Sequence, residues 1–253
     1  MSPRFLNGFA CTMTPRANRG EFVELRAPKD DMKFIWIFIP GLSESSMSTK
    51  ITSLYVCGNS YSAATQATGY QAWPGKLSRR LGFTYIQANN KAQPSAQLLT
   101  ITSPPRPGLI AQLQSMPTGS KAGALLVIWL FPALDKRLRV AQYVPAYTSG
   151  IDVAYQQGFR SVLMPNLPDL TKTVYYQRTY SRKKLRALRK AFTRFNAQHS
   201  TMIKNFRRRH RNTKYATVDV FRLWNGTGTV ADGLHPNPST HELFAHWFWN
   251  VVK

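Results

Sequence analysis

The chain has 253 residues, 43% of them hydrophobic, enough for one full-sized core or at most two small ones. Its 34 Lys and Arg against 11 Asp and Glu give a formal charge of +23, a field that draws anions but dictates no fold. Two cysteines, Cys11 and Cys57, exclude a disulfide framework, and no Cys/His group has zinc-ligand spacing.

Residues 1–50 read as an irregular N-terminal segment, with no apolar period over 1–31. Within it Met32-Lys33, the apolar run Phe34–Leu42 and a Ser-rich stretch to Ser48 imitate a short secretory signal. The expectation is export, with a cytoplasmic location as the alternative. No segment is long and apolar enough to predict a membrane-spanning helix, so an integral membrane protein is not expected.

From residue 51 short apolar runs alternate with helical patterns. Ile51–Cys57 is rich in β-formers and stops at Gly58. A helix is predicted over Trp73–Leu81, opened by Pro74, which a first turn tolerates. Phe83–Ala88 reads as a second strand and Pro107–Met116 as a short helix. Gly123–Phe131 is nearly continuous in apolar residues, as expected of a parallel strand buried on both faces. Pro145–Gln157 is a weaker helix candidate and Phe159–Pro165 the next strand. Over residues 181–210, Leu185, Leu188, Phe192, Phe195, His199, Met202 and Phe206 recur at three- and four-residue intervals, predicting one long amphipathic helix. Tyr215–Phe221 is a fifth strand and Thr240–Val251 the last helix. Alternation without repeat or linker favours a single domain over 51–253: α/β, three layers (α/β/α), with a central parallel sheet of flavodoxin-like type.

Ligands of such sheets collect at the carboxyl ends of the strands. Ser60 follows the first strand, and Asp232-Gly233-Leu234-His235-Pro236 follows the fifth, so both fall on one edge. Together they supply a nucleophile (Ser60), a base (His235) and a carboxylate to orient it (Asp232). Each also has a plainer reading, as a cap or a turn residue. Asp232, His235 and His241 fit no familiar metal site. His199 reads as a packed side chain.

These residues resemble the GDSL/SGNH family of serine esterases and lipases, in its lipase-like branch. The likeness rests on Gly58-Asn59-Ser60-Tyr61-Ser62 and Asp232-x-x-His235-Pro236. Ala72-Trp73-Pro74 with Leu77 and Leu81-Gly82, Leu163 to Asp169, Phe195-Asn196 and Val218-Asp219-Val220-Phe221 are similar to further family blocks. The resemblance covers roughly residues 51–252 and implies an SGNH hydrolase-like fold and hydrolysis of a carboxylic ester (lipid, short-chain or acetyl-sugar). The route it implies is an acyl-enzyme on Ser60, formed with a Ser-His-Asp triad and no cofactor. Three blocks depart from the family. Asn59 stands where the family has aspartate. No glycine occurs in Asn89-Asn90-Lys91-Ala92, where the oxyanion glycine is expected. The family's oxyanion asparagine is missing from Phe131-Pro132-Ala133-Leu134-Asp135. The substitutes to be expected are the backbone N–H of Lys91 and the amides of Asn89 or Asn90, beside the N–H of Ser60 itself. Losing one oxyanion donor costs ~10²–10³ in turnover.

Two other readings stay open: a relative that keeps the triad but only binds, and a basic anion- or nucleic-acid-binding protein. The second rests on fourteen Lys and Arg between Arg178 and Lys214. That run predicts contact with an anionic surface through the helix at 181–211. No motif for specific nucleic-acid reading accompanies it.

Overall fold

The computed structural model describes residues 50–63, 72–102, 105–130 and 143–253, which belong to one compact unit. The signal-like stretch, Cys11 and the 131–135 block lie outside the described residues. Strand β1 (Ser53–Gly58) leads to helix α1 (Trp73–Arg80), the short antiparallel pair β2 (Ile101–Thr102) and β3 (Pro105–Arg106), and α2 (Leu109–Gln114). Then come β4 (Ala124–Trp129), α3 (Tyr143–Gln156), β5 (Ser161–Leu163), α4 (Val174–Thr179) and α5 (Arg182–Arg209). β6 (Lys214–Ala216), α6 (Val220–Leu223) and α7 (Pro238–Val252) close the chain.

Four strands form one parallel sheet in the order β1-β4-β5-β6. Register places Val56 beside Val127 and Gly58 beside Trp129, and all six residues of β4 are buried. Helix α1 packs on α7, while α2 packs on α3 and α3 on α5, so helices flank the sheet in the expected three layers. Among the described residues no helix is long and apolar enough to cross a membrane.

The expected second strand did not form. Phe83–Ala88 runs into a 3₁₀ turn (Gln87–Asn89), and just after it a single parallel bridge joins Asn90 to Val56. Tyr215–Phe221 divides into the short β6 and the one-turn α6, whose start Asp219 caps by accepting from Arg222 N.

The long helix follows its period. Leu188, Phe192, Phe195, His199, Met202, Ile203 and Phe206 are buried, and Ser181 caps the first turn by accepting from Lys184 N. Asn196 locks α5 to the end of β5 with two hydrogen bonds, accepting from Leu167 N and donating to Leu167 O, each at 2.9 Å. Asn166 donates to Asp219 Oδ1 (2.7 Å) and accepts from Phe221 N (3.0 Å), tying the same edge to the start of α6.

Beneath that edge Trp73, Trp129, Trp224, Phe244 and Phe248 meet edge to face, with Trp73–Phe248 at 4.9 Å and Trp129–Phe244 at 5.1 Å. Each indole N–H has an acceptor: Tyr61 O, Asn166 O and Thr227 O respectively. Buried aromatics of this size are worth burying only when their polar handles are satisfied. Cys57 is a free, buried thiol whose pKa is pushed up by burial.

Two histidines are held neutral. His199 lies between Tyr147 and Phe195, its ring nitrogens without partners among the described residues, and burial lowers its pKa to about 4. Burial, then the charges of Lys76 and His235, lower His241 to about 4 as well; its Nδ1 accepts from Trp73 N at 3.4 Å. Because both folded values lie below the ordinary one near 6.5, the unfolded chain takes up protons first as pH falls. Stability is therefore intact above about pH 6.5 and declines toward pH 4, by at most about 1.4 kcal/mol per pH unit for each histidine. Urea unfolding at pH 7 and pH 5 checks this: His199→Leu should lose distinctly less stability between the two than the native chain, and an equal loss would contradict the assignment.

Candidate active site

Ser60 begins the helical turn that follows β1. Asn59 O accepts from Ser62 N (2.9 Å) and Ala63 N (2.8 Å), and Asn59 Oδ1 accepts from Tyr61 N (3.1 Å). Asparagine at this position thus caps the turn as an N-cap residue does, with no need of a carboxylate. Ser60 N–H has no acceptor among the described residues, as expected of a first-turn amide. Gly58 is required by close approach: a Cβ there would lie 2.5 Å from the Ser62 Cβ.

The opposite wall is the loop from Thr229 to Pro236. Asp232 Oδ1 accepts from Leu234 N (2.8 Å) and His235 N (2.9 Å), while Oδ2 faces His235 Nδ1 at 2.5 Å. A carboxylate only accepts, so Nδ1 presents a proton to it, and in the neutral ring Nε2 holds the lone pair. Partial burial pushes the Asp232 carboxyl up, but the His235 ring and the two backbone N–H groups outweigh it and hold the pKa below its usual value. Gly233 sits at φ +71°, and its carbonyl accepts from Tyr175 N, which seats the loop on the start of α4. Both Asp232 and His235 keep access to solvent.

Tyr61 joins the two walls. It is buried, its hydroxyl donates to Leu234 O at 2.8 Å, and its ring lies 5.9 Å from that of His235. The same ring meets Trp129 and Trp224 edge to face, each at 6.0 Å. Ser60 Oγ and His235 Nε2 are not hydrogen-bonded to each other; the residue after the serine brings their segments together. The sequence offered one signal for this role, an aromatic side chain within the serine turn.

The expected oxyanion donors fare differently. The Lys91 N–H donates to Val56 O at 2.9 Å and closes the edge of β1. Asn90 is engaged as well. Its Nδ2 donates to Ser62 O and Tyr85 Oη, both at 2.9 Å, and its Oδ1 accepts from Ala92 N, so the amide braces the serine turn from behind. Asn89 is buried and its side chain has no such commitment among the described residues. From Asn89 to Ala96 every backbone N–H has an acceptor except that of Ser95. Ser95 is exposed at φ +60° in a turn after Pro94, a conformation that suits glycine.

Gln112, from α2, is a residue the sequence did not mark. Its Oε1 accepts from Gly58 N (2.8 Å) and its Nε2 donates to Gly58 O (3.1 Å), two residues before Ser60. Among the described residues no group of three or more His, Cys, Asp or Glu side chains is placed to hold a metal ion.

The sequence model of the GDSL-like lipase/acylhydrolase family matches residues 53–248, from the first residue of β1 into α7. The chain belongs to that family. Solved structures agree in fold. A member of the lipolytic G-D-S-L family from Veillonella parvula is 12% identical, with a TM-score of 0.52 over 77% of this chain and 94% of its own. A carbohydrate esterase of family 3 from Talaromyces cellulolyticus is 11% identical, with a TM-score of 0.50 over 79% and 95%. No curated protein matches the sequence. The GDSL family's chemistry is ester hydrolysis.

Tyr61→Phe tests the bridge. It removes a part-buried hydrogen bond worth about 1 kcal/mol and leaves Leu234 O without its partner. If Tyr61 holds the histidine loop in place, ester turnover should fall about tenfold while KM stays within about twofold and the melting temperature drops by a few degrees. Unchanged turnover would confine the residue to a role in stability.

Proposed function

We propose that this GDSL hydrolase cleaves a carboxylic ester through an acyl-enzyme on Ser60. The observation that carries the reading is the Asp232–His235 contact at 2.5 Å, anchored beside the serine turn through Tyr61 and Leu234. His235 Nε2 takes the Ser60 hydroxyl proton as Oγ bonds to the ester carbon. The tetrahedral oxyanion then collapses, the C–O bond to the alcohol breaks, and the alcohol leaves with the proton from His235. Water repeats the sequence, giving the free acid and restoring Ser60. Asp232 keeps the imidazole in the required tautomer and stabilises the imidazolium, a role that its depressed pKa suits at neutral pH. Ser60 N–H supplies one oxyanion donor. The side-chain amide of Asn89, the one without a structural commitment, is the candidate for a second.

The substrate class rests on kinship. One structural neighbour is a carbohydrate esterase, and an acetyl-sugar ester is therefore a reasonable substrate beside short-chain and lipid esters. A second reading, a relative that binds an ester without turning it over, is favoured by one observation: the amides of Lys91 and Asn90 are committed to β1 and the serine turn.

Hydrolysis of p-nitrophenyl acetate and butyrate by the full chain separates the two. The enzymatic reading requires a rate above that of buffer which falls by ~10³-fold or more in both Ser60→Ala and His235→Ala, with melting temperatures showing both variants folded. Asn89→Ala should cost a further ~10²-fold if its amide is the second donor. A rate indifferent to Ser60→Ala refutes the triad, whereas a folded chain with no measurable hydrolysis of either ester, or of acetylated xylo-oligosaccharide, favours the binding reading.

A further inference from the structure

We propose that the outward face of α5 docks the phosphate backbone of nucleic acid, without reading its sequence. The helix carries eleven Lys and Arg over 28 residues and no Asp or Glu. Solvated helix faces ordinarily interleave opposite charges at three- and four-residue spacing, because like charges so placed repel. Here the repulsion is left standing. Arg189 pairs with Asp169 (3.0 Å) and Arg209 with Asp152 (2.7 Å); Arg207 donates to Tyr215 O and Arg208 to Asn205 Oδ1. The other seven cations are exposed and form no ion pair among the described residues.

Their placement is ordered. At 100° per residue, Lys183, Arg186, Lys190, Arg194, Lys204 and Arg208 fall within an arc of about 80°, opposite the stripe centred on Leu188, Phe192 and His199. The row is roughly 37 Å long at the helical rise, on a rigid element fixed to the sheet by Asn196. A straight row of cations fits a linear polyanion, and duplex DNA presents about one charge per 1.7 Å of axis.

A membrane surface is the competing anion, and the helix argues against it. Interfacial helices sink an apolar face into lipid, but the apolar face of α5 is buried in the protein's own core. None of the large exposed hydrophobic residues among those described lies on α5. No motif for reading base edges accompanies this face, so the contact is assigned to the backbone.

The test uses the full chain and a fluorescein-labelled 24-base-pair duplex, with a second duplex of unrelated sequence, followed by anisotropy between 50 and 200 mM NaCl. Binding should be equal for the two sequences and weaken steeply with salt. The triple variant Arg186→Gln/Lys190→Gln/Arg194→Gln should bind at least ~10-fold more weakly at 100 mM, with the log–log salt slope shallower by about 2 to 3. The isocharge control Lys50→Gln/Arg79→Gln/Lys253→Gln should bind within about threefold of the native chain, and Ser60→Ala should bind as the native chain does. Circular dichroism should show the stripe variant no less stable, since it relieves repulsion; should it fail to fold, the single Lys190→Glu change must weaken the complex at least ~3-fold. The proposal is overturned by absent duplex binding, by equal losses in the stripe and control variants, or by capture on phosphatidylcholine vesicles with 30% phosphatidylserine in place of the duplex.

Discussion

Strand β1 leads into Ser60 and, among the described residues, has a neighbouring strand on one side only. Its other edge holds buried backbone groups that must find partners, because an unpaired buried amide or carbonyl costs as much as a lost hydrogen bond. Three groups answer that demand: Lys91 N bonds Val56 O, Gln93 N bonds Gly58 O, and the Gln112 side chain takes both polar groups of Gly58. This closure fixes the direction in which the serine turn leaves the sheet. It also draws Lys91 into the scaffold. A donor that closes a strand edge is not available to a developing oxyanion, so the scaffold and the chemistry compete for the same short loop.

Much of the architecture could be read in advance because its signals are local. The unbroken apolar run of β4 and the three- and four-residue period of α5 each need only a window of residues. The last helix, expected over Thr240–Val251, begins two residues earlier at Pro238, where Asn237 caps it by accepting from Thr240 N. Asp232 and His235 were legible for the same reason: three residues apart, they make a turn whose backbone and side-chain bonds are internal to it.

What was not legible depends on distant partners. Phe83–Ala88 has the composition of a strand, yet only Asn90 bridges Val56, and the β1 edge is closed by Lys91 N, Gln93 N and a glutamine 54 residues from Gly58. Tyr61 reaches Leu234 across 173 positions, and no spacing rule anticipates that. The amides of Asn89 and Asn90 looked equivalent in the sequence. The structure separates them by what surrounds each: Tyr85 Oη and Ser62 O converge on Asn90, and nothing comparable among the described residues meets Asn89.

The charge asymmetry fits the same division between scaffold and chemistry. Helix α5 is the crossover from β5 to β6, so its buried stripe is constrained by the sheet and Asn196 pins its register. The outward face carries no such constraint. Its sequence is free of packing demands, and a random choice of solvated residues would include carboxylates among its cations. Glu242 shows that this chain uses such pairing elsewhere, holding Lys76 and Arg80 between α7 and α1. Absence of acids over seven turns of α5 is thus a property of one face, and the ordinary requirements of helix stability run against it. An external anion resolves that repulsion and leaves the edge bearing Ser60, Asp232 and His235 untouched.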